Sequence, residues 1–354
     1  MTRASFRVID TGRRRGRENI AFDQAMIDAH QAGEIPDTIR FIHFHPVALV
    51  GRHQALSQEV RLDYCAANGI DVGRRLTGGG AIYMDQGQLG WALVCKRQSL
   101  GGGALGDITR LICESVAAGL SKLGVDARFR PRNDIEVDGR KISGTGGFFD
   151  GDTLIFQGTV LGEVDPAVMF SALNVPQEKL SKRELVAARS RVTTLRELTG
   201  APPDWEAVKS AMVDGFAERL NIIAQWGEVT EGEERRANEI FAEEIGTDEF
   251  VYEIDDPARE PGVKTGFRQS AGGAIKAHLR VEGPGNDRVR EVLLTGDFFA
   301  TPPRMILDLE SSLRGVPVAD VPDRVTAFFK GADIGLLSVG PDDFSAAICE
   351  AAAS

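Results

Sequence analysis

Two arginines and three glycines lie close together in residues 74–85, which read RRLTGGGAIYMD. Because glycine has no Cβ, its backbone amides approach an anion closely, and a neighbouring guanidinium adds charge-assisted donors. The segment is therefore suited to binding a phosphate or a carboxylate. A triple glycine fits equally well a loop that needs unusual backbone dihedral angles, so both interpretations stay open. A Walker-type phosphate loop is excluded because no Gly-Lys-Ser/Thr sequence follows.

A single lysine, Lys141, stands out in residues 132–147, which read RNDIEVDGRKISGTGG. Small residues follow it, so its ammonium group could reach a phosphate or a carbonyl oxygen beside bare backbone. One such contact at ~4 Å contributes on the order of 4 kcal/mol at an effective dielectric constant of about 20. Asn133 and Asp134 precede Lys141 and could serve a nucleotide and its Mg²⁺, although each is also a common turn residue.

A third glycine-rich segment matches the G-x-G-x-x-G spacing of a dinucleotide-binding loop through Gly101, Gly103 and Gly106. The preceding strand pattern is separated from these glycines by the polar residues KRQS. The acidic residue about twenty positions further on, Asp126, begins the next strand pattern instead of ending it. A flexible loop is therefore the better interpretation.

The overall composition limits the classes of function. The chain has 354 residues, a formal net charge of −11 and a pI near 5.1. This length accommodates one large core and a smaller domain. Nucleic-acid binding is not expected, because it needs a basic field that displaces counterions from phosphates. Neither a signal peptide nor a span of ~18 apolar residues is recognisable, so we expect a cytoplasmic protein without a membrane partner.

The cysteines and histidines do not form a metal-binding pattern. The cysteines are Cys65, Cys95, Cys113 and Cys349. None forms a Cys-x-x-Cys pair, which is typical of free thiols. His43 and His45 would share one face of a strand, and a packing role is more frequent there than metal binding. The basic run GRRRGR at 12–17 is typical of a solvated arm.

Strand and helix patterns alternate in the first part of the chain. SFRVID at 5–10 predicts a strand, and a helix should follow. One face of this helix would carry Phe22, Ala25, Met26 and Ala29, and the opposite, polar face Asp23, Gln24 and Asp28. TIRFIHF and VALVG predict adjacent strands interrupted at Pro46. A helix at about 59–68 should end at Gly69.

Short strands and one long helix follow the triple glycine. AIY and LGWALV predict two strands. The helix at 107–123 would begin with Asp107 as its N-cap and end at Gly124. Asp138-Gly139 and Asp150-Gly151 predict two hairpin turns, because both pairs accept positive φ angles.

The remaining patterns complete the fold prediction. Helical patterns dominate from 165 to about 245, and DDPAREPGVK at 255–264 interrupts the chain with two prolines and a glycine. Beyond it, GGAIKAHLRVEG and RVREVLLTGDFF predict two strands, and helices are expected near 303–313, 320–329 and 341–353. We predict an α+β fold, with a large domain built on a mixed, largely antiparallel sheet flanked by helices and a small α+β domain at the C-terminus.

Four blocks in order resemble the signature of the lipoate-protein ligases, within the biotin and lipoate ligase superfamily. They are RRLTGGGAIYMD, RNDIEVDGRKISGTGG, IFQGTVL and ARSRVTTLREL. The resemblance begins near ENIAFDQAMI, continues through VALVGRHQ and extends to about residue 200. The segment after about 265 is similar to the accessory domain of the family. The resemblance implies a catalytic domain over residues 1–255 and an accessory domain over residues 265–354.

The resemblance also implies an activity, a set of ligands and their binding residues. Lipoate and ATP, with Mg²⁺, would form lipoyl-AMP, and the lipoyl group would then pass to a lysine of an acceptor protein. Lys141 would be catalytic, and Asp134 would bind Mg²⁺. The ligand-binding residues would be Arg74, Arg75, Thr77, Gly78, Gly79, Gly80, Ala81, Tyr83, Asn133, Lys141, Ser143, Gly144, Gln157, Gly158 and Thr159. In the family the accessory domain moves between the two steps, which fits the proline-containing linker at 255–264.

Two positions depart from the family pattern. The family usually has histidine at the positions of Met84 and Gln157. These changes favour a specialised ligase whose acceptor is a dedicated lipoate-binding protein, such as those of sulfur oxidation. The other acceptors that the resemblance allows are a lipoyl domain and the glycine cleavage H protein, and a monomeric enzyme is predicted.

Three alternative functions stay open. An octanoyltransferase of the same superfamily would need a cysteine nucleophile downstream of the lysine block, where this chain has none between Lys141 and Cys349. A biotin ligase would have a different glycine-rich arginine loop. A non-catalytic protein that binds lipoyl-adenylate would fit the two histidine losses, but not the presence of Lys141, Asn133 and Asp134.

Overall fold

The computed structural model describes residues 3–174, 191–270, 273–331, 335–337 and 339–354. The chain forms two compact units. Unit 1 comprises Met1–Leu49, Val60–Arg74 and Ile82–Val251, and unit 2 comprises Val50–Glu59, Arg75–Ala81 and Tyr252–Ser354. Unit 2 therefore includes two short segments from the first hundred residues. Part of the block ARSRVTTLREL, residues 188–190, and the first residue of GGAIKAHLRVEG, Gly272, lie outside the described residues, as does part of the helical region predicted from 165.

The strands are numbered in chain order. They are β1 (Ser5–Arg14), β2 (Thr38–Phe44), β3 (Val47–Val50), β4 (Asp71–Arg74), β5 (Ile82–Met84), β6 (Gln88–Lys96), β7 (Arg128–Arg130), β8 (Asp134–Val137), β9 (Arg140–Asp150), β10 (Thr153–Leu161), β11 (Ile223–Trp226), β12 (Lys264–Ser270), β13 (Gly273–Glu282), β14 (Arg288–Gly296), β15 (Ala300–Thr301) and β16 (Gly335–Leu336).

The helices are numbered in the same way. They are α1 (Gly16–Gln31), α2 (Leu56–Glu59), α3 (Leu62–Ala67), α4 (Leu105–Ser121), α5 (Pro166–Ala172), α6 (Leu195–Thr199), α7 (Trp205–Arg219), α8 (Glu231–Ile240), α9 (Asp248–Val251), α10 (Met305–Ser312), α11 (Val321–Lys330) and α12 (Pro341–Ala353). A π-helical turn, Phe241–Ile245, follows α8. Over the described part of the chain, every helix is too short or too polar to cross a lipid bilayer.

Unit 1 is built on an eight-stranded sheet with the order β11-β1-β2-β6-β10-β9-β8-β7. β1 runs parallel to β2 and β11, and the other neighbouring pairs are antiparallel. The predicted α+β fold with a mixed, largely antiparallel sheet is therefore confirmed. TIRFIHF and VALVG form consecutive strands, but Pro46 separates strands of two different sheets, because β3 belongs to the smaller sheet β4-β3-β5.

The two faces of the large sheet differ in chemistry. Phe41, Trp91 and Phe156 belong to the largest apolar core, together with residues of α4 and α7. Strand residues alternate between faces, so Arg40 and Gln157 point to the other side. These two residues lie in one cross-strand row, because each is paired with Ala92 of β6. Helix α1 contacts this second face.

Helix α1 is buried more completely than its sequence pattern predicts. Phe22 and Met26 are buried as expected. Asp23 was predicted to lie on a polar face, but its side chain is only 2% exposed. It lies 2.5 Å from the guanidinium of Arg40. Burial raises the pKa of Asp23, and the Arg40 charge opposes this shift. A charged partner on the sheet thus makes it possible to bury a carboxylate in the core.

Several local predictions need correction. The helix predicted at 59–68 is divided into α2 and α3, because Val60 forms a bridge with Leu173 and Arg61 N donates to Ala172 O. The long helix begins two residues before Asp107, with Ala104 as its N-cap.

The arginine run and the middle of the chain also differ from prediction. β1 continues to Arg14, which forms an ion pair with Glu234, and Arg17 contacts Asp248 at 2.8 Å. The run GRRRGR is therefore partly structural and not a solvated arm. The region predicted as helical also contains the short strand β11. Its parallel pairing with β1 is a long-range contact that a local pattern does not reveal.

Unit 2 has its own small sheet and core. The antiparallel sheet β12-β13-β14 contains the two strands predicted from the sequence. The three predicted C-terminal helices are present as α10, α11 and α12. Their apolar residues pack with Leu294, Phe298 and Phe344 in a second core. Unit 2 therefore has the α+β character that the sequence predicts for the C-terminal region.

Two glycines set the distance between α4 and α7. A Cβ at Gly119 would lie 2.7 Å from the carbonyl oxygen of Ala211, and one at Gly215 would lie 2.4 Å from that of Ser115. The two helix backbones therefore touch where both lack a side chain. This crossing supports the apolar face of the large sheet.

We expect Gly119→Ala to lower the free energy of unfolding by about 1–3 kcal/mol, because the added methyl group pushes two backbones apart. Gly106→Ala in the same helix is the matched control. There a Cβ meets no described atom within 4 Å, so alanine should be neutral or stabilise by up to ~1 kcal/mol. Chemical denaturation measures both effects, and equal stability of the two variants would contradict the close crossing.

Candidate active site

The backbone of Lys141 is held on both sides. In the pairing of β8 with β9, Ile135 is opposite Ser143 whereas Glu136 is opposite Lys141, so a bulge lies between them. Lys141 N donates to Arg191 O at 2.8 Å, and Thr193 N donates to Lys141 O at 2.9 Å. The predicted turn before β9 is confirmed by the positive φ angles of Asp138 and Gly139. The lysine therefore projects from a fixed position.

The ammonium group of Lys141 lies over a glycine and beside a carboxylate. Its Nζ is 2.7 Å from Asp134 Oδ1. A Cβ at Gly144 would also lie 2.7 Å from this Nζ, so glycine makes room for the lysine to fold across β9. The Lys141 side chain is 39% exposed and that of Asp134 26%. An ion pair this accessible contributes little stability, so a ligand can replace either partner at low cost.

Gln157 and Thr159 lie on the same sheet face as this ammonium group. Gln157 is paired with Gly146, and the register continued by one residue beyond Gly158–Thr145 brings Thr159 opposite Gly144. Directly opposed residues share a face, as do residues two apart in one strand. The structure thus brings Lys141, Asp134, Gly144, Gln157 and Thr159 together on one face of β8-β9-β10.

Other predicted residues of this region point elsewhere. Gly158 faces the apolar core, where a Cβ would lie 2.3 Å from the ring of Trp91. Ser143 is fully buried, and its Oγ has no hydrogen-bond partner among the described residues. The Asn133 side-chain amide donates to Thr145 O, and Thr145 N donates to Asn133 O at 3.0 Å. In this structure Asn133 therefore connects the segment that precedes β8 with strand β9 through hydrogen bonds.

Arg74 and Tyr83 belong to unit 1 and are both buried. The Arg74 side chain donates through Nε and Nη2 to Val251 O at 3.2 and 3.0 Å. Tyr83 is opposite Ala48 in the small sheet. Burial and the neighbouring Asp85 raise the pKa of the Tyr83 hydroxyl. Both residues therefore contact other groups of unit 1, and in the sequence they stand on either side of the glycine-rich loop.

The glycine-rich loop itself belongs to unit 2. Arg75 Nη2 donates to Gly78 O and Gly80 O, both at 3.0 Å. Burial lowers the pKa of Arg75 to about 10, so the guanidinium remains charged at neutral pH. Gly79 N donates to Phe298 O at 3.1 Å. The groups that would bind an anion are thus engaged with peptide oxygens of unit 2 in this structure.

Each of the three glycines has a different environment. A Cβ at Gly78 would lie 2.1 Å from Phe298 O. Gly79 has a φ angle of +90°, and a Cβ there would lie 2.6 Å from the ring of Phe299. Gly80 has only one ordinary contact, at 3.8 Å from Asp297. The interpretation as a loop with unusual dihedral angles is therefore correct for Gly79, and close packing explains Gly78.

The predicted site residues consequently fall into two groups. Those in unit 1 are Arg74, Tyr83, Asn133, Asp134, Lys141, Ser143, Gly144, Gln157, Gly158 and Thr159. Those in unit 2 are Arg75, Thr77, Gly78, Gly79, Gly80 and Ala81.

Sequence reasoning missed Asp23, Arg40, Phe298 and Phe299. A signal for Arg40 was present, because a charged residue within the apolar strand TIRFIHF requires a buried partner. Neither Phe298 nor Phe299 carried a comparable signal, since both end the segment RVREVLLTGDFF, which was predicted to be a strand. Their contact with the loop depends on the fold of unit 2.

The cysteines are free, as predicted, and poorly suited to nucleophilic catalysis. Cys113 lies nearest to the candidate site, with its Sγ 3.3 Å from Thr145 Oγ1. Burial raises the pKa of the Cys113 thiol to about 12 and that of Cys65 to about 11. It also raises the pKa of Cys95 and, in unit 2, of Cys349. A nucleophilic cysteine needs the opposite shift, because the thiolate is the reactive form.

The part of the chain that the structure describes contains no group of three His, Cys, Asp or Glu side chains arranged to hold a metal ion. Asp134 offers a single carboxylate beside Lys141. This donor set fits Mg²⁺, which keeps several waters and takes most other ligands from substrate phosphates. It does not fit a structural metal site.

Comparisons with known proteins identify the family of the chain. Residues 15–217 match the model of the lipoyl protein ligase A/B catalytic domain. An octanoyltransferase LipM of Symbiobacterium thermophilum is 30% identical over 269 residues, which cover 70% of this chain and 97% of the relative. A lipoate-protein ligase A subunit 1 of Thermoplasma acidophilum is 31% identical over 247 residues, which cover 66% of this chain and 91% of that relative. The chain therefore belongs to the lipoyl protein ligase A/B family.

Solved structures extend the similarity to three dimensions. A lipoate-protein ligase A bound with ATP is 27% identical, with a TM-score of 0.62 over 72% of this chain and all of that one. The LipL1 protein of P. falciparum in complex with lipoate gives a TM-score of 0.71 over 93% of this chain and 95% of that one. At 16% identity this second likeness concerns the fold alone. The predicted membership of the lipoate ligase family is confirmed.

We expect Gly78→Ala to destabilise unit 2 even without any ligand, because the added Cβ would collide with the backbone oxygen of Phe298. A loss of about 1–3 kcal/mol in the free energy of unfolding is typical of such overpacking. Gly80→Ala is the control, since its Cβ has room, and its stability should stay within about 0.5 kcal/mol of wild type. If thermal or chemical unfolding shows both variants to be equally stable, Gly78 is not required for packing.

Proposed function

We propose that this protein is a lipoate-protein ligase, which uses ATP to convert lipoate into lipoyl-AMP and then transfers the lipoyl group to a lysine of an acceptor protein. The family membership supports this activity, and so does the likeness to a ligase bound with ATP. The chemistry also fits the face that carries Lys141, Asp134, Gln157 and Thr159. Unit 1 would hold the catalytic groups, and residues 265–354 would form the accessory domain.

In the first half-reaction a lipoate carboxylate oxygen attacks the α-phosphorus of ATP, and pyrophosphate leaves with the bonding electron pair. Negative charge increases on the phosphate oxygens in the transition state. The Lys141 ammonium group, fixed over Gly144, would stabilise this charge more in the transition state than in the ground state. Mg²⁺, held on the protein side by Asp134, would supply further charge neutralisation for the phosphates.

In the second half-reaction the acceptor amine attacks the carbonyl carbon of lipoyl-AMP. A carbon–nitrogen bond forms, the bond from carbon to the phosphate oxygen breaks, and AMP leaves as the anion while the nitrogen loses a proton. The same ammonium group would polarise the carbonyl oxygen during the attack. Arg75, Thr77 and Gly78–Gly80 remain the proposed binding residues for the adenylate phosphate, once the Arg75 guanidinium and the Gly79 amide release their contacts with peptide oxygens.

The position of the cysteines is the observation that favours a ligase over an octanoyltransferase. Two forms of the activity occur among the relatives, which include both octanoyltransferases and lipoate-protein ligases. The octanoyltransferase alternative would pass the acyl group through a cysteine downstream of the lysine block. This chain has no cysteine between Lys141 and Cys349. Burial raises the pKa of Cys113 to about 12, so this thiol is a poor substitute.

We expect lipoate-dependent exchange of pyrophosphate into ATP in the presence of Mg²⁺, and a loss of about 100-fold or more in Lys141→Ala. Lys122→Ala is the matched control, because Lys122 forms an exposed ion pair with Glu218 outside the site. Its exchange rate should equal that of wild type. Isotope exchange with purified protein measures all three rates.

Three outcomes would contradict the proposal. Lys141→Ala could exchange as fast as wild type, which would remove the role of the ammonium group. Alternatively, incubation with octanoyl-acyl carrier protein without ATP could give an octanoyl thioester on a cysteine, detected by mass spectrometry. The second result would identify an octanoyltransferase. Absence of exchange together with tight binding of lipoyl-AMP would instead identify a non-catalytic binding protein.

For the acceptor, we propose a dedicated lipoate-binding protein in place of a general lipoyl domain. The supporting observation is that the departure at Gln157 is part of a buried network with Asp23 and Arg40, and so is not an isolated substitution. We expect faster lipoylation of a purified lipoate-binding protein of sulfur oxidation than of a dehydrogenase lipoyl domain or an H protein. Parallel assays with lipoate and octanoate measure this preference, and faster modification of dehydrogenase domains would reject it.

A further inference from the structure

A buried polar network lies beneath Gln157 in unit 1. The Arg40 guanidinium donates from Nη1 to Asp23 Oδ1 at 2.5 Å, from Nη2 to Asn19 Oδ1 at 2.7 Å and from Nε to Thr11 Oγ1 at 3.0 Å. The Arg40 side chain is 0% exposed and that of Asp23 2%. Nothing in the comparisons or in the family resemblance assigns a role to this network.

The network fixes the orientation of the Gln157 side-chain amide. Asp23 Oδ1 is taken by Arg40, and Asp23 Oδ2 accepts from Gln157 Nε2 at 2.5 Å. Both Asp23 oxygens act as acceptors in this structure, one from Arg40 and one from Gln157, and a carboxylate that accepts at both oxygens needs a donor at each. The NH₂ group of Gln157 must therefore face Asp23. The carbonyl oxygen, Oε1, is turned away from Asp23 and has no hydrogen-bond partner among the described residues.

The free Oε1 belongs to a residue on the face that carries the Lys141 ammonium group. Gln157 is opposite Gly146, which is two residues from Gly144, the residue over which the ammonium lies. Two residues of a strand span about 7 Å. Gln157, which carries the free acceptor, is thus a near neighbour of the strand position over which the ammonium group lies.

The reactants differ in what they offer to such an acceptor. At the reacting centre, lipoate and the phosphates present oxygen atoms, which are themselves acceptors and would be repelled by Oε1. The acceptor lysine brings an amine, whose N–H groups are donors. A hydrogen bond from one N–H to a fixed oxygen would direct the nitrogen lone pair toward the carbonyl carbon.

We infer that Asp23 is a positioning residue that holds Gln157 with its carbonyl oxygen toward the incoming amine, so that the pair serves the transfer step and not adenylation. This inference rests on the proposed ligase function. It assigns separate tasks to two polar groups of the face. Lys141 acts on the carbonyl and phosphate oxygens, and Gln157 orients the nucleophile.

Asp23→Asn tests the inference because it reverses the direction of the hydrogen bond. Arg40 will take the oxygen of the substituted side chain, so the new amide NH₂ group will face residue 157. Gln157 must then turn its Oε1 inward and present N–H donors to the site, where they cannot accept from an amine. In Asp23→Asn/Gln157→Glu, one oxygen of the new carboxylate accepts from the new amide, and the other oxygen is offered to the site. The double variant therefore restores the acceptor.

Two half-reactions are measured on each protein. One is lipoate-dependent pyrophosphate exchange, and the other is single-turnover transfer from preformed lipoyl-AMP to whichever purified apo acceptor the wild-type protein modifies fastest. For Asp23→Asn we expect the transfer rate to fall by about three- to tenfold, which corresponds to the loss of one hydrogen bond in the transition state. The rate of pyrophosphate exchange should change by less than about twofold. The double variant should return transfer to within twofold of wild type. Asp37→Asn is the control, since Asp37 is a carboxylate paired with His30 away from the site.

If Asp23→Asn does not fold, Gln157→Met is the substitute test variant. It removes the acceptor oxygen and leaves the Asp23–Arg40 pair intact. It should show the same selective loss of transfer. Equal loss in both half-reactions, an unchanged transfer rate, or failure of the double variant to regain transfer would overturn the inference while leaving the ligase function standing. A wild-type protein that is inactive in both half-reactions would remove the proposed function and this inference together.

Discussion

A permanent positive charge within a sheet must be surrounded by acceptors, and the Arg40 guanidinium imposes this requirement on unit 1. Asp23, Asn19 and Thr11 meet it from α1 and β1, so the helix that covers this face is joined to the sheet by charge as well as by apolar contact. A buried ion pair of this kind adds little net stability over an apolar core. Removal of one partner is costly, because the other charge is then left unpaired. The network therefore determines the position of α1 on the sheet and adds little to the free energy of packing.

Close approach of other groups to the backbone is the second constraint, and glycine makes it possible at three places. Gly144 leaves room for the Lys141 side chain, Gly119 and Gly215 allow two helices to touch, and Gly78 accepts a peptide oxygen of Phe298. In each case the missing side chain is replaced by a specific group of the protein. The glycine-rich loop thus has a packing function within unit 2 that is independent of any bound anion.

The family contains two chemistries on one scaffold, and the distinction between them depends on very few atoms. Under the proposed function, the Lys141 ammonium group would be the fixed cation near the activated acyl group. Only the thioester route needs a thiolate. The thiols of unit 1 are buried among apolar groups, which raises their pKa values and favours the uncharged form. A direct transfer from an adenylate requires no such group, and the exposed Lys141–Asp134 pair can open to admit phosphate at little cost.

The sequence by itself determined the elements that depend on local rules and on ordered motifs. Local signals predicted the hairpin at Asp138-Gly139 from its turn residues and the C-terminal helices from their periodicity. The order of strand and helix patterns predicted the α+β class, and the order of the motifs predicted the family. Tertiary structure alone decided the burial of Asp23, the pairing of β11 with β1 and the inclusion of the glycine-rich loop in unit 2. The physical reason is that these features depend on partners far away in the chain. Asp23 can be buried because Arg40 lies beside it in the folded protein. Gly78 is required because the backbone of Phe298 packs against it.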